Sequence, residues 1–145
     1  MKRFAVLILL VSCAGDPTPV ETSQPTHPDV VLITLDTTRA DRIGAYGDPL
    51  ARTPNLDKLA ANSALFREAY TTVPLTLPAH ASILSGLYPK GHGLRDNASG
   101  RLSADVPLIT KTLKDSGYQT GAFIGAYVLD GSRGLDRGFD TYHDN

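Results

Sequence analysis

Cysteine occurs once in these 145 residues, at Cys13, so no intrachain disulfide can brace the fold. An excess of charge is missing too. The formal net charge is −1, which gives nucleic acid no electrostatic footprint to bind. No apolar run approaches the roughly 20 residues that span a bilayer; the stretch from Phe4 to Val11 is far shorter. No internal repeat of solenoid length is visible. What remains is one domain's worth of ordinary globular composition, 41% hydrophobic and 20% charged. Thirteen glycines and ten prolines imply many turns.

The first residues read as a targeting segment. Lys2-Arg3 is a basic start, Phe4 to Val11 an apolar core, and Leu10-Val11-Ser12-Cys13 follows. This order resembles a bacterial lipoprotein leader, in which the cysteine becomes the lipidated first residue of the mature protein; the other reading is a plain signal peptide with an incidental cysteine. Residues 1–12 are therefore expected to be a lipoprotein signal peptide and Cys13 its lipidation site. Residues 13–28, with Pro17, Pro19, Pro25 and Pro28 among Ser and Thr, read as a flexible tether too poor in apolar side chains to pack. That arrangement places the protein in the bacterial cell envelope, held to a membrane by a lipid anchor.

From Asp29 onward the pattern changes. Val30 to Leu35 is a continuous apolar, β-branched run, as expected of a strand buried on both faces. Thr53 to Ser63 reads as a helix, with Thr53 as its cap and Pro54 in its first turn, and with Leu56, Leu59 and Ala60 on one face. A short strand over Phe66 to Thr72, a helix from Ala79 to Ser85 ended by Gly86, a helix from Leu108 to Asp115 stopped by Ser116-Gly117, and a strand within Thr120 to Val128 complete the elements. Strand, helix and strand in succession predict an α/β fold with a mostly parallel sheet flanked by helices. The tail from Arg133 to Asn145 shows no closing element, and so thin a sheet predicts an incomplete domain.

The chemistry concentrates at two places. Asp36 ends the apolar run, where ligands gather in parallel sheets. Thr76 lies two residues before Pro78, at the mouth of a helical pattern. A carboxylate at a strand end and a hydroxyl at a helix start are two halves of a metal-activated nucleophile site. Taken singly, Asp36 is equally a turn residue and Thr76 equally a helix cap.

Together, Val31 to Gly47, Thr53 to Ala60 and Leu84-Ser85-Gly86-Leu87-Tyr88-Pro89 resemble the opening of the sulfatase family, within the alkaline phosphatase superfamily. The resemblance runs from Asp29 to Asn145, and family members are several hundred residues long. It implies an alkaline-phosphatase-like fold, with 29–145 as the N-terminal part of a catalytic domain and a sulfate or phosphate ester, small-molecule or glycan, as substrate. Asp36 matches the first metal-ligand aspartate; Thr37 stands where many relatives carry a second. Thr76 matches the nucleophile, which sulfatases present as Cys (or Ser)-x-Pro-x-Arg and convert to formylglycine. Here the pattern is Thr76-x-Pro78-x-His80, which instead resembles nucleotide pyrophosphatase/phosphodiesterases with a metal-bound threonine.

An unmodified threonine ester must be resolved by attack at sulfur or phosphorus, which suits phosphoryl groups better. The resemblance also implies a divalent metal, whether zinc, calcium or manganese, held in part by Asp36 and Thr76. It gives Asn97 a role in binding a phosphoryl oxygen, alongside the plainer reading as a turn residue before Ser99-Gly100. His80 orients the site or simply packs. Lys90, His92 and Arg95 form a basic cluster that meets an anionic ester or is merely solvated. No Asp-His or His-Asp pair precedes His143-Asp144, which comes too early to match the family's distal ligands, so the 145 residues alone are expected to be inactive. A phosphoglycerol or phosphoethanolamine transferase of the same superfamily and a non-catalytic envelope lipoprotein are the competing readings.

Overall fold

A computed structural model describes residues 6–9 and 27–144. The predicted lipidation site Cys13 and most of the expected leader and tether lie outside the described residues. No helix among the described residues is long and apolar enough to cross a membrane. The chain divides into two compact units, one ending at Tyr70 and the other beginning at Thr71.

In the first unit the backbone of β1 (Val6–Leu9) pairs antiparallel with β2 (Val31–Thr34). The apolar run does form a strand, but Val31, Leu32 and Ile33 remain 42–47% exposed rather than buried on both faces. Such a run forecasts burial wherever covering layers exist on each side, and the described residues leave these side chains open. Two single-turn 3-10 helices, Ala40–Arg42 and Gly44–Tyr46, lead to α1 (Pro54–Ala61). Pro54 opens α1 as expected, and Leu56, Leu59 and Ala60 share its half-buried side.

Thr53 does not cap α1. Its hydroxyl accepts from Gly44 N at 2.9 Å and donates to Asp57 Oδ1, which also accepts from Ala45 N at 2.7 Å. A tertiary partner outcompeted the local one. A Cβ on Gly44 would lie 2.6 Å from Asp57 Oδ2, so a larger residue would push the Asp57 carboxylate out of this arrangement. The strand expected over Phe66 to Thr72 is absent; the segment is turn and bend with an isolated bridge at Tyr70.

The second unit holds α2 (Thr76–Ser85), α3 (Pro89–His92), α4 (Ile109–Asp115), β3 (Gly121–Phe123) and β4 (Thr141–His143). Its core gathers Leu77 and Ala81 of α2 with Leu94, Leu102, Val106, Leu108, Leu129 and Leu135. Full burial of one leucine contributes about 1.5–3 kcal/mol, so this cluster is the main source of the unit's stability. β3 and β4 pair parallel, Gly121 opposite Thr141 through Phe123 opposite His143, with the α-helices packed alongside. This is the expected α/β class, in miniature.

Two expectations change here. The strand predicted within Thr120 to Val128 covers Gly121–Phe123, and Tyr127–Leu129 turns into 3-10 helix. The tail does close on an element, β4, which its glycine-rich sequence disguised. That tail is bolted down by side chains: Tyr142 Oη donates to Leu129 O at 2.6 Å, and Thr110 Oγ1 to Arg137 O at 2.7 Å. Gly138, at φ +87°, passes so close to the Lys111 backbone that a Cβ would overlap it.

Candidate active site

α2 begins at Thr76, three residues earlier than its sequence suggests. A residue before proline is biased away from helix, which argues for a start after Pro78. The opposing facts are local. Pro78 is the third helical residue, where no intrahelical N–H bond is lost, and the Leu77 N–H is satisfied from outside. The preceding Leu75 contributes no side-chain cap. Instead Asn97 Oδ1, twenty residues on, accepts from Leu77 N at 2.9 Å. Thr76 thus sits half-buried at the positive end of a helix, with a carboxamide held against the next peptide. With its oxygen committed to Leu77, Asn97 keeps its NH2 end for donation.

His80 lies one turn further along α2, and its Nδ1 is 2.8 Å from Thr76 O. A carbonyl only accepts, so Nδ1 carries the proton and Nε2 is the basic atom of the neutral ring. Thr76, His80 and Asn97 therefore converge on one turn.

Asp36 belongs to the first unit. It follows β2 at an exposed position, and its Oδ1 accepts from Thr37 N at 2.9 Å. Thr37 has φ +57°, an uncommon left-handed conformation for a β-branched residue. That kink turns the backbone N–H onto the carboxylate. Nearby Asp41 is committed to Arg39 at 2.6 Å, and this hydrogen-bonded guanidinium holds its carboxyl below the ordinary carboxylate range.

Among the described residues no three His, Cys, Asp or Glu side chains gather as a metal cage. Calcium takes about six to eight oxygen ligands and zinc about four ligands in all. Asp36 contributes one carboxylate, so the side chains present do not by themselves fit a divalent metal. His143-Asp144 is structural: His143 stacks on Phe123 with ring centroids 5.3 Å apart, and Asp144 Oδ2 accepts from Gly131 N at 2.7 Å.

The basic cluster dissolves. Lys90 and Arg95 are exposed, whereas His92 is only 3% exposed. His92 Nδ1 accepts from Leu94 N at 3.2 Å, and Nε2 is 3.0 Å from Ser82 Oγ, which also receives the Thr72 hydroxyl at 2.9 Å. Burial pushes the imidazole below its ordinary value, against hydrogen bonds to backbone that raise it. Sequence reasoning missed this Thr72–Ser82–His92 chain, because three separated polar residues carry no periodic signal.

Residues 28–145 match the family model for Sulfatase. The chain is 36% identical over 125 residues to an ulvan-active sulfatase of Formosa agariphila, covering 86% of this chain and 24% of that protein. It is 34% identical over 120 residues to an N-acetylglucosamine-6-O-sulfatase of Bacteroides thetaiotaomicron, covering 83% and 20%. A solved sulfatase structure from Bacteroides thetaiotaomicron superposes with a TM-score of 0.61 at 31% identity, over 70% of this chain and 22% of that one. A 2-O GAG sulfatase structure gives 0.60 at the same identity. The chain thus spans a quarter or less of the length of these relatives. With both the sequence match and the fold in agreement, the chain belongs to the sulfatase family.

Proposed function

We propose that the protein is a sulfatase-like hydrolase of anionic esters, with Thr76 as nucleophile. The observation that carries this reading is Thr76 at the first residue of α2, with the Asn97 carboxamide fixed beside it. The names of the relatives, an ulvan-active sulfatase and an N-acetylglucosamine-6-O-sulfatase, point to sulfate esters, including those of glycans. The threonine side chain favours phosphoesters within that class. In the proposed reaction Thr76 Oγ1 attacks the phosphorus or sulfur, the alcohol leaves with the bridging oxygen, and water then attacks the same centre to release the inorganic anion. The helix N-terminus and the Asn97 amide stabilise charge on the non-bridging oxygens, and His80 holds the Thr76 carbonyl.

We place the protein at the cell envelope on a lipid anchor at Cys13, on the strength of the basic start, apolar core and Leu10-Val11-Ser12-Cys13 order.

The test compares aryl phosphate monoesters and diesters with aryl sulfates, using the protein as the cell makes it, while mass spectrometry reads residue 76. Unmodified threonine, phosphoester preference and loss of turnover in Thr76→Ala are expected. Efficient sulfatase activity with little phosphoester turnover overturns the preference; full activity in Thr76→Ala overturns the nucleophile.

A further inference from the structure

We propose that His92 is a positioning residue for Thr76, acting through the hydroxyls of Ser82 and Thr72 to hold the run-in to α2 and its first turn. The inference rests on the reading of Thr76 as nucleophile, and it concerns how that hydroxyl is kept in place.

The directionality of the hydrogen bonds comes first. Leu94 N–H donates to His92 Nδ1, so the neutral ring carries its proton on Nε2 and donates it to Ser82 Oγ. Both ring nitrogens are thus engaged, with the Pro78 backbone also interacting with the ring. In this tautomer His92 cannot accept the Ser82 proton, which excludes Ser82–His92 as a second nucleophile–base pair. Ser82 Oγ is instead a junction that also receives the Thr72 hydroxyl.

Its place in the chain gives the junction its effect. Thr72 lies four residues before Thr76 and Ser82 lies on α2 itself, so the hydroxyl pair closes the loop 72–82 that carries Thr76. Across the first turn, Asn97 fixes Leu77. Thr76 is therefore held between two anchors, one from the loop after α3 and one ending on the buried His92 of α3. Within the run-in, Thr71 Oγ1 exchanges hydrogen bonds with Val73 of its own turn, whereas Thr72 reaches across to Ser82 on α2. Burial of His92 keeps the chain of donors in one direction, because the charged ring is disfavoured there.

Amide hydrogen exchange by NMR on the full chain tests this. Three amides report: Leu77, held by Asn97; Val73, in the run-in; and Ile124, whose hydrogen bond to His143 O involves none of the junction residues. His92→Asn removes the donor at the Nε2 position, and His92→Gln restores an amide N–H near it. Expected is a rise of about fivefold or more in exchange at Leu77 and Val73 in His92→Asn, the worth of one net hydrogen bond, with Ile124 unchanged. His92→Gln should recover most of that protection, Ser82→Ala should reproduce the loss, and the double variant should add nothing to it. Nitrogen shifts of the parent ring should show the Nε2–H tautomer.

Parallel loss at all three amides, failure of His92→Gln to rescue, or an Nδ1–H tautomer overturns the proposal. Should His92→Asn not fold, Ser82→Ala alone decides by the same comparison of Leu77 with Ile124. Failure of Thr76 as nucleophile appears in the ester assays and leaves these exchange rates untouched, so the two readings fail separately.

Discussion

Asn97 uses the two ends of one carboxamide differently. Its oxygen closes the first turn of α2 on Leu77, and in the proposed reaction its NH2 end meets an anion beside Thr76. Substitution separates the two roles. Asn97→Asp keeps an acceptor for Leu77 N–H and adds negative charge at a helix N-terminus, so thermal stability should stay within about 0.5 kcal/mol of the parent. It removes the donor and repels an anionic ester, so turnover should fall by about 100-fold or more. Asn97→Ala should cost about 1 kcal/mol of stability as well, the usual loss for a missing cap. Thermal melts beside ester kinetics read both effects; an Asn97→Asp protein with undiminished kcat would show that the amide donates nothing to the reaction.

Among the elements, α4 and the β3–β4 pair are joined by one carboxylate. Asp140 Oδ1 meets Lys114 Nζ at 2.6 Å, while Oδ2 accepts from Thr120 N and Thr120 Oγ1. The Lys114 hydrogen bond, followed by those of Thr120, lowers its pKa from 3.8 to about 2. The unfolded chain takes up this proton first as pH falls. The stabilisation is therefore complete above the ordinary value of 3.8 and is lost as pH falls towards 2. Denaturant melts of the second unit should lose stability through that window, and Asp140→Asn should flatten the slope there. An unchanged slope in Asp140→Asn would mean that the group is not held as described. The exposed setting of Asp140 in solvent keeps the effect small and sensitive to salt.

At the scale of the whole molecule, membership of the sulfatase family is carried by residues 28–145 as one match, although they fall into two compact units. Within the first unit, the strand residues Val31, Leu32 and Ile33 stand 42–47% open to solvent. Where the whole protein resides turns on the segment before it. Cys13→Ala should release the protein from the membrane fraction or leave it unprocessed, read by cell fractionation and intact-mass measurement. A variant that fractionates and matures like the parent would remove the lipid anchor from the account.

Part of this was already written in the residue order. Val31–Thr34 is a strand because its side chains are β-branched and apolar, and α1 opens on Pro54 because proline suits a first turn. Gly86 ends α2 because its φ of +71° favours glycine, and Thr76-x-Pro78-x-His80 was recognisable as a helix-mouth hydroxyl. These depend on neighbours within a few positions, and local chemistry suffices.

What the tertiary structure alone decided involves partners far along the chain. Thr53 left its capping role to receive Gly44 N–H from nine residues back, and the first turn of α2 was capped from Asn97. His92 passed from a supposed surface cation to a buried neutral ring, and the tail gained β4 opposite β3. A hydrogen bond across ten or twenty residues forms only when the core has brought both ends together. Its energy is comparable to the local propensities it overrides, and no spacing in the sequence announces which of the two prevails.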